Sequence, residues 1–167
     1  SSSSSSSSSH DGHTDLDSDG SLRLLNYKVL LLPAPMLVSD ALFAALEAFV
    51  KRGGSLWIGF RSDIKDAGNS QIRRTPSRLA TLAGVTVEEI ESLNAGQHVP
   101  LQKSSPAGSS SVASEDASAS VWREGLSINN GTNPAQALFD YTDEEFFGGL
   151  HYKAATRRVV GKGEVVF

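Results

Sequence analysis

Tyr27-Lys28-Val29-Leu30-Leu31-Leu32-Pro33-Ala34-Pro35 is the stretch whose reading decides the fold class. A short, nearly continuous apolar run closed by two prolines has the pattern of a strand buried on both faces, the habit of parallel sheets. After it, Ser39 is a good helix N-cap. Leu42, Phe43, Leu46, Phe49 and Val50 then recur at helical spacing until Gly53 and Gly54 supply a stop. Leu56-Trp57-Ile58-Gly59-Phe60 follows as a second apolar strand. Strand, helix and strand in close succession predict a right-handed βαβ unit, and from it a doubly wound, flavodoxin-like α/β fold with a mostly parallel sheet and helices on both faces.

Outward from this unit the chain alternates structure with polar connections. Arg61 to Arg74 reads as a long loop leaving the carboxyl end of a central strand, where function often sits in such folds. Thr75-Pro76 reads as an N-cap and first helical residue of a short helix that buries Leu79 and Leu82 and stops at Gly84. Val85 to Ile90 and Ala137 to Tyr141 read as strands. Tyr152 to Val160, Gly161-Lys162-Gly163 and Glu164 to Phe167 read as a β-hairpin. The serine- and alanine-rich stretch of about 103–120 is expected to be a flexible insert, with core resuming at Val121-Trp122. Residues 1–20, nine serines and then mostly His, Asp, Gly and Ser, are expected to be a disordered lead-in to a single domain over 21–167. The apolar last strand suggests a domain cut short at its C-terminus.

Composition narrows the function classes. Fifteen Lys and Arg against 19 Asp and Glu give a net charge of −4, with no basic stripe to neutralise phosphates, so nucleic acid is not an expected partner. The longest unbroken run of large apolar residues, Val29 to Leu32, is far short of a membrane span, and the N-terminus lacks the charged start and apolar stretch of a secretory signal. A soluble protein is expected, with a cytoplasmic location favoured. The absence of cysteine excludes disulfides, thiolate metal sites and cysteine nucleophiles.

Each candidate for chemistry meets a plainer reading. Asp15-Leu16-Asp17-Ser18-Asp19-Gly20 matches the first half of a calcium loop, but Asn26 occupies the twelfth position where a bidentate Glu is required. His10 and His13 lack a third ligand on a rigid element, and His98 and His151 are isolated. Ser62 stands just past an apolar strand, as a hydrolase nucleophile would, yet Gly59-Phe60-Arg61-Ser62-Asp63 is not a G-x-S-x-G elbow. Glu88, Glu89, Glu91, Glu144 and Glu145 cluster like solvated faces rather than a spaced catalytic pair. Gly161-Lys162-Gly163 fits a hairpin turn better than a phosphate loop. Receiver and flavin modules share the expected topology, which alone cannot select among them.

The motifs in order carry a more specific message. Leu25-Asn26-Tyr27-Lys28-Val29-Leu30-Leu31-Leu32-Pro33, Phe49-Val50-Lys51-Arg52-Gly53-Gly54-Ser55-Leu56, Phe60-Arg61-Ser62-Asp63-Ile64-Lys65-Asp66 and Thr75-Pro76-Ser77-Arg78-Leu79 through Glu88-Glu89 resemble the trimerisation domain of family forty-two β-galactosidases. Trp122, Tyr141, Gly148, Ala155, Thr156 and Gly161-Lys162-Gly163 continue the match, which runs from about Asp15 to Phe167. Asp63 stands where the family pattern has glycine, the Ser104 to Ser120 stretch is unusual, and Leu150-His151-Tyr152-Lys153 replaces a proline-containing step. The resemblance implies a class I glutamine amidotransferase-like fold without its cysteine. It also implies a non-catalytic role: packing subunits into a trimer beside a catalytic (β/α)8 barrel that this chain does not contain. No catalytic residue, cofactor or metal is implied for the domain itself. Its strand-end loop, with Arg61, Ser62, Asp63 and Asp66, is implied as an interface or as a wall of a partner's active site. The alternatives are a serine hydrolase or degenerate amidotransferase using Ser62, and a flavodoxin- or receiver-like binding module.

Overall fold

The computed structural model describes residues 24–66, 68–69, 76–105, 113–143 and 151–167. The lead-in over 1–20 lies outside them, as do the calcium-like stretch Asp15–Gly20, His10, His13, Glu144 and Glu145.

After a single 3-10 turn at Leu24–Asn26, the chain forms β1 (Val29–Leu32), α1 (Asp40–Lys51) and β2 (Ser55–Ile58). β1 and β2 pair in parallel, with Val29 opposite Ser55 and Leu32 opposite Ile58, so this strand–helix–strand unit is present as expected. Ser39 caps α1 by accepting the Leu42 N–H at 3.1 Å, and Leu46, Phe49 and Val50 form the helix's buried stripe. Gly59 ends β2 by donating its N–H to the Leu32 carbonyl at 2.7 Å. A Cβ there would overlap the Pro33 carbonyl oxygen, so the exits of β1 and β2 can lie this close only with glycine at position 59.

The rest of the chain is mostly β. α2 (Arg78–Ala83) leads into β3 (Val85–Ser92), β4 (Val99–Lys103), β5 (Ala113–Ala119), β6 (Trp122–Ile128), β7 (Gln136–Tyr141), β8 (Lys153–Val160) and β9 (Gly163–Val166). The sheet has nine strands among the described residues, in the order β1-β2-β9-β8-β7-β4-β5, and β6 joins β8 to β3 as a branch. Only β1, β2 and β9 run parallel; every other pairing is antiparallel.

This corrects the doubly wound, flavodoxin-like expectation. A parallel sheet needs a crossover between successive strands, and from β3 onward the described chain contains no helix to make one. It folds back by antiparallel pairing instead, and the β8–β9 hairpin returns β9 to the parallel edge of β2. Helices on both faces are not observed either: α1 and α2 contact each other and both pack on β9. Their face of the sheet carries the core, in which Leu46, Phe49, Val50, Leu79 and Leu82 meet Leu56, Ile58, Val85 and Val165.

β1 departs from its expected burial for the same reason. Leu30 and Leu32 face the helices, whereas Val29 and Leu31 are 51 % and 67 % exposed on the other side, next to Trp57 at 49 %. α2 begins later than expected, because Ser77, not Thr75, is the N-cap and accepts the Ala80 N–H at 3.2 Å. Within the stretch read as an insert, Lys103 ends β4 and Ala113–Ala119 forms β5.

Candidate functional site

The chain leaves β2 through Gly59 into the loop singled out from sequence, and hydrogen bonds hold that loop from two sides. Arg61 and Asp63 both take left-handed backbone conformations, with φ of 54° and 56°. This region disfavours L-residues other than Asn and Asp, which explains why the resemblance led to an expected glycine at position 63. Asp63 is fully buried. Its Oδ2 accepts the Arg78 backbone N–H and Nε–H, each at 3.1 Å, and its Oδ1 accepts from Nη2 at 2.9 Å. The same guanidinium donates to the Val38 carbonyl at 2.5 Å and to Asp40 Oδ1 at 2.6 Å. These bonds, those of Asp63 foremost, raise Arg78 above its ordinary pKa. Asp63 therefore locks the loop to the start of α2 and is closed to ligands.

Ser62 is 3 % exposed, and its hydroxyl donates to the Gly59 carbonyl at 2.5 Å. The proton a nucleophilic serine would hand to a base is thus turned into the loop's own backbone. His98 lies at 3.4 Å from Ser118, on the β4–β5 side, and His151 is exposed. Asp66 is exposed at the far end of the loop, where its carbonyl accepts the Asn69 N–H at 2.9 Å. The four residues thus divide into two anchors, Ser62 and Asp63, a part-buried Arg61 and an exposed Asp66.

Arg61 leads to a feature that sequence reading missed. Its backbone N–H donates to Glu124 Oε1 at 2.7 Å, and its guanidinium lies 4.8 Å above the ring of Trp122, which stacks on Phe60 at 6.3 Å. Phe60, Trp122, Tyr141, Arg123 and Glu124, over a floor that includes Ile58 and Phe167, line a cleft of about 230 Å³. Glu124 is 6 % exposed, and burial raises its carboxyl pKa. Tyr141 donates its hydroxyl to the Glu124 carbonyl at 3.0 Å, and burial pushes its pKa up to about 12. Burial alone would lower Arg123, but hydrogen bonds to Glu91 and Asp143 more than reverse that. The legible signal was Trp122-Arg123-Glu124 itself, two charged residues leading into a strand whose middle is buried.

Among the expected carboxylates, Glu91 pairs with Arg123 and Glu88 accepts from Ser127, so both serve β3–β6 pairing. Gly161-Lys162-Gly163 forms the β8–β9 turn, and the Lys162 N–H donates to the Lys51 carbonyl at 3.1 Å. No helix among the described residues is long and apolar enough to cross a membrane.

Comparison with known families matches residues 8–167 to the model described as the β-galactosidase trimerisation domain of glycoside hydrolase family forty-two. The chain belongs to that family. A curated β-galactosidase, BglY of Alicyclobacillus acidocaldarius, is 36 % identical over 77 residues, which are 46 % of this chain and 11 % of that protein. The solved β-galactosidase of Bacillus circulans sp. alkalophilus superposes with a TM-score of 0.69 at 22 % identity, over 84 % of this chain and 19 % of its own. That of the haloarchaeon Halorubrum lacusprofundi gives 0.67 at 25 % identity, again over 84 % and 19 %. This trimerisation domain therefore corresponds to about a fifth of the solved relatives. The doubly wound amidotransferase-like architecture implied by resemblance gives way to the mixed, mostly antiparallel sheet described above.

Proposed function

We propose that this domain is a non-catalytic assembly module of a β-galactosidase, bringing subunits into a trimer while a separate barrel performs hydrolysis. The observation that carries this reading is the family match over residues 8–167. The geometry at the strand-end loop agrees with it, since Ser62 and Asp63 are spent on anchoring and no serine–histidine pair forms there among the described residues. Arg61 and Asp66, displayed by a loop pinned at both Glu124 and Arg78, are suited to facing a neighbouring subunit next to its active site.

The test is multi-angle light scattering of the purified chain over a concentration series, with a nitrophenyl galactoside assay on the same material. A plateau at three times 17.7 kDa over the dilute part of the series and no turnover are expected. Turnover that follows the chain through purification sinks the non-catalytic part. A strictly monomeric mass across the series removes autonomous trimerisation.

A further inference from the structure

We propose that the open face of β1, β2, β9 and β8 is a two-fold contact between copies of this chain, in which the Trp57 rings of the two copies stack. This adds to the trimer and does not rest on it, because a two-fold contact pairs copies and cannot by itself close a ring of three.

The argument begins with strands that are apolar on both sides and covered on one. Leu30, Leu56 and Val165 face the core beneath the helices. The strand register places the alternate residues in two neighbouring rows on the opposite face. Val29, Ser55, Glu164 and Val159 lie side by side across the four strands in one row. Leu31, Trp57, Val166 and Arg157 lie side by side in the other. Val29, Leu31, Trp57 and Val159 are each about half exposed or more. Parallel strands with apolar residues at consecutive positions, as in β1 and β2, belong to sheets covered on both faces, so this face calls for a cover.

Charge selects a second copy as that cover. The two rows hold one cation and one anion, and these neutralise each other, since Arg157 Nε donates to Glu164 Oε2 at 2.6 Å. Ser55 donates to Glu164 Oε1 at 2.8 Å, and these bonds, that of Ser55 foremost, hold the carboxyl below its ordinary pKa. A face of net charge would repel its own copy; this one does not, and it offers a charged partner nothing to attract it. Its aromatic centre is also suited to meeting itself. Trp57 donates its indole N–H to Ser55 Oγ at 3.1 Å, which draws the ring back along β2 and satisfies its polar edge within the face. A two-fold axis between the sheets, crossing β2 at right angles, stacks ring on ring and brings each Arg157 beside the other copy's Glu164. Area sets the strength. Four large side chains about half exposed offer roughly 400 Å² per copy, half of the about 800 Å² per partner that stable complexes bury, so the contact is weak and governed by concentration.

The experiment uses the intact chain and the charge pair. Arg157→Glu makes the face doubly negative and Glu164→Lys makes it doubly positive, so each variant repels its own copies while the two attract each other. In light scattering, the wild-type mass should rise above its dilute plateau at chain concentrations on the order of 100 μM. Each variant alone should need about tenfold more protein for the same rise, and an equimolar mixture should regain the wild-type curve, with unchanged far-ultraviolet circular dichroism. A mixture that associates no more than its components overturns the proposal, as does a single variant that associates like the wild type. A wild-type mass that never leaves the plateau also overturns it. The plateau mass reports the trimer and the rise above it reports this contact, so the two fail separately. If either variant unfolds, Val159→Glu and Val159→Lys, at a half-exposed position on the same face, are mixed in their place and judged by the same outcomes.

Discussion

Asp63 shows how one side chain can serve backbone and electrostatics together. Its φ of 56° is tolerable for Asp and Asn, and its carboxylate accepts three bonds from Arg78. Asp63→Asn keeps the backbone preference and one acceptor while removing the charge, so it isolates the ion pair. Breaking a buried pair is strongly destabilising, and here Arg78 keeps Asp40 and some solvent, so a loss of about 2–3 kcal/mol is expected in urea unfolding. A loss below ~0.5 kcal/mol would mean the pair contributes nothing net. Glu124 ties stability to pH. Its pKa in the folded state is raised by burial, so the folded protein binds this proton more tightly than the unfolded chain does. Stability is therefore lost as pH rises from the ordinary glutamate value, about 4.3, through the raised one. In Glu124→Gln this contribution is absent. The wild-type unfolding free energy, taken relative to the variant, should fall as pH rises from about 4, and a difference that stays flat removes the argument.

Between elements, the tightest packing lies where the β8–β9 turn meets the end of α1. A Cβ on Gly163 would overlap the carbonyl oxygens of Gly54 and Val50, which are backbone atoms and cannot swing aside. Gly163→Ala should therefore lower the thermal midpoint by roughly 5 °C or more, whereas Gly131→Ala, with open space around its Cβ, should leave it unchanged. Equal midpoints for the two variants would show that the turn can shift away. This is also the scale at which sequence reading succeeded and failed. α1, β2, β7 and the hairpin were legible because each has its own periodicity or turn signal: Ser39 before the helix, Gly161 and Gly163 around the turn. β4 and β5 were not, since Pro100, Gln102 and the alanines and serines of Ala113–Ala119 are held by partners on β7 and β4 rather than by any preference of their own. The strand-end loop was legible as a place, while its cleft was not. Phe60, Trp122 and Tyr141 are far apart in sequence, and only the branching of the sheet brings them together.

At the scale of the molecule, the two faces of the sheet at β1 and β2 have different fates. One is covered by the helices; on the other, Val29 and Leu31 of the edge strand β1 and Trp57 of β2 are about half exposed or more, and the outer N–H and C=O groups of β1 have no ladder partner among the described residues. An apolar face beside an open edge promotes association in proportion to concentration, and a lysine placed on it opposes that association without touching the core. Leu31→Lys should leave the unfolding free energy within about 0.5 kcal/mol of the wild type, because a side chain 67 % exposed has little burial to lose. In light scattering, the wild-type mass should keep growing with concentration beyond any fixed assembly, and Leu31→Lys should flatten that growth. If the variant retains a constant trimer mass, the trimer contact lies elsewhere on the domain and the open face is only adhesive. If the variant is monomeric at every concentration, the open face is itself the subunit contact. A growth curve identical to the wild type would show that this face takes no part in association.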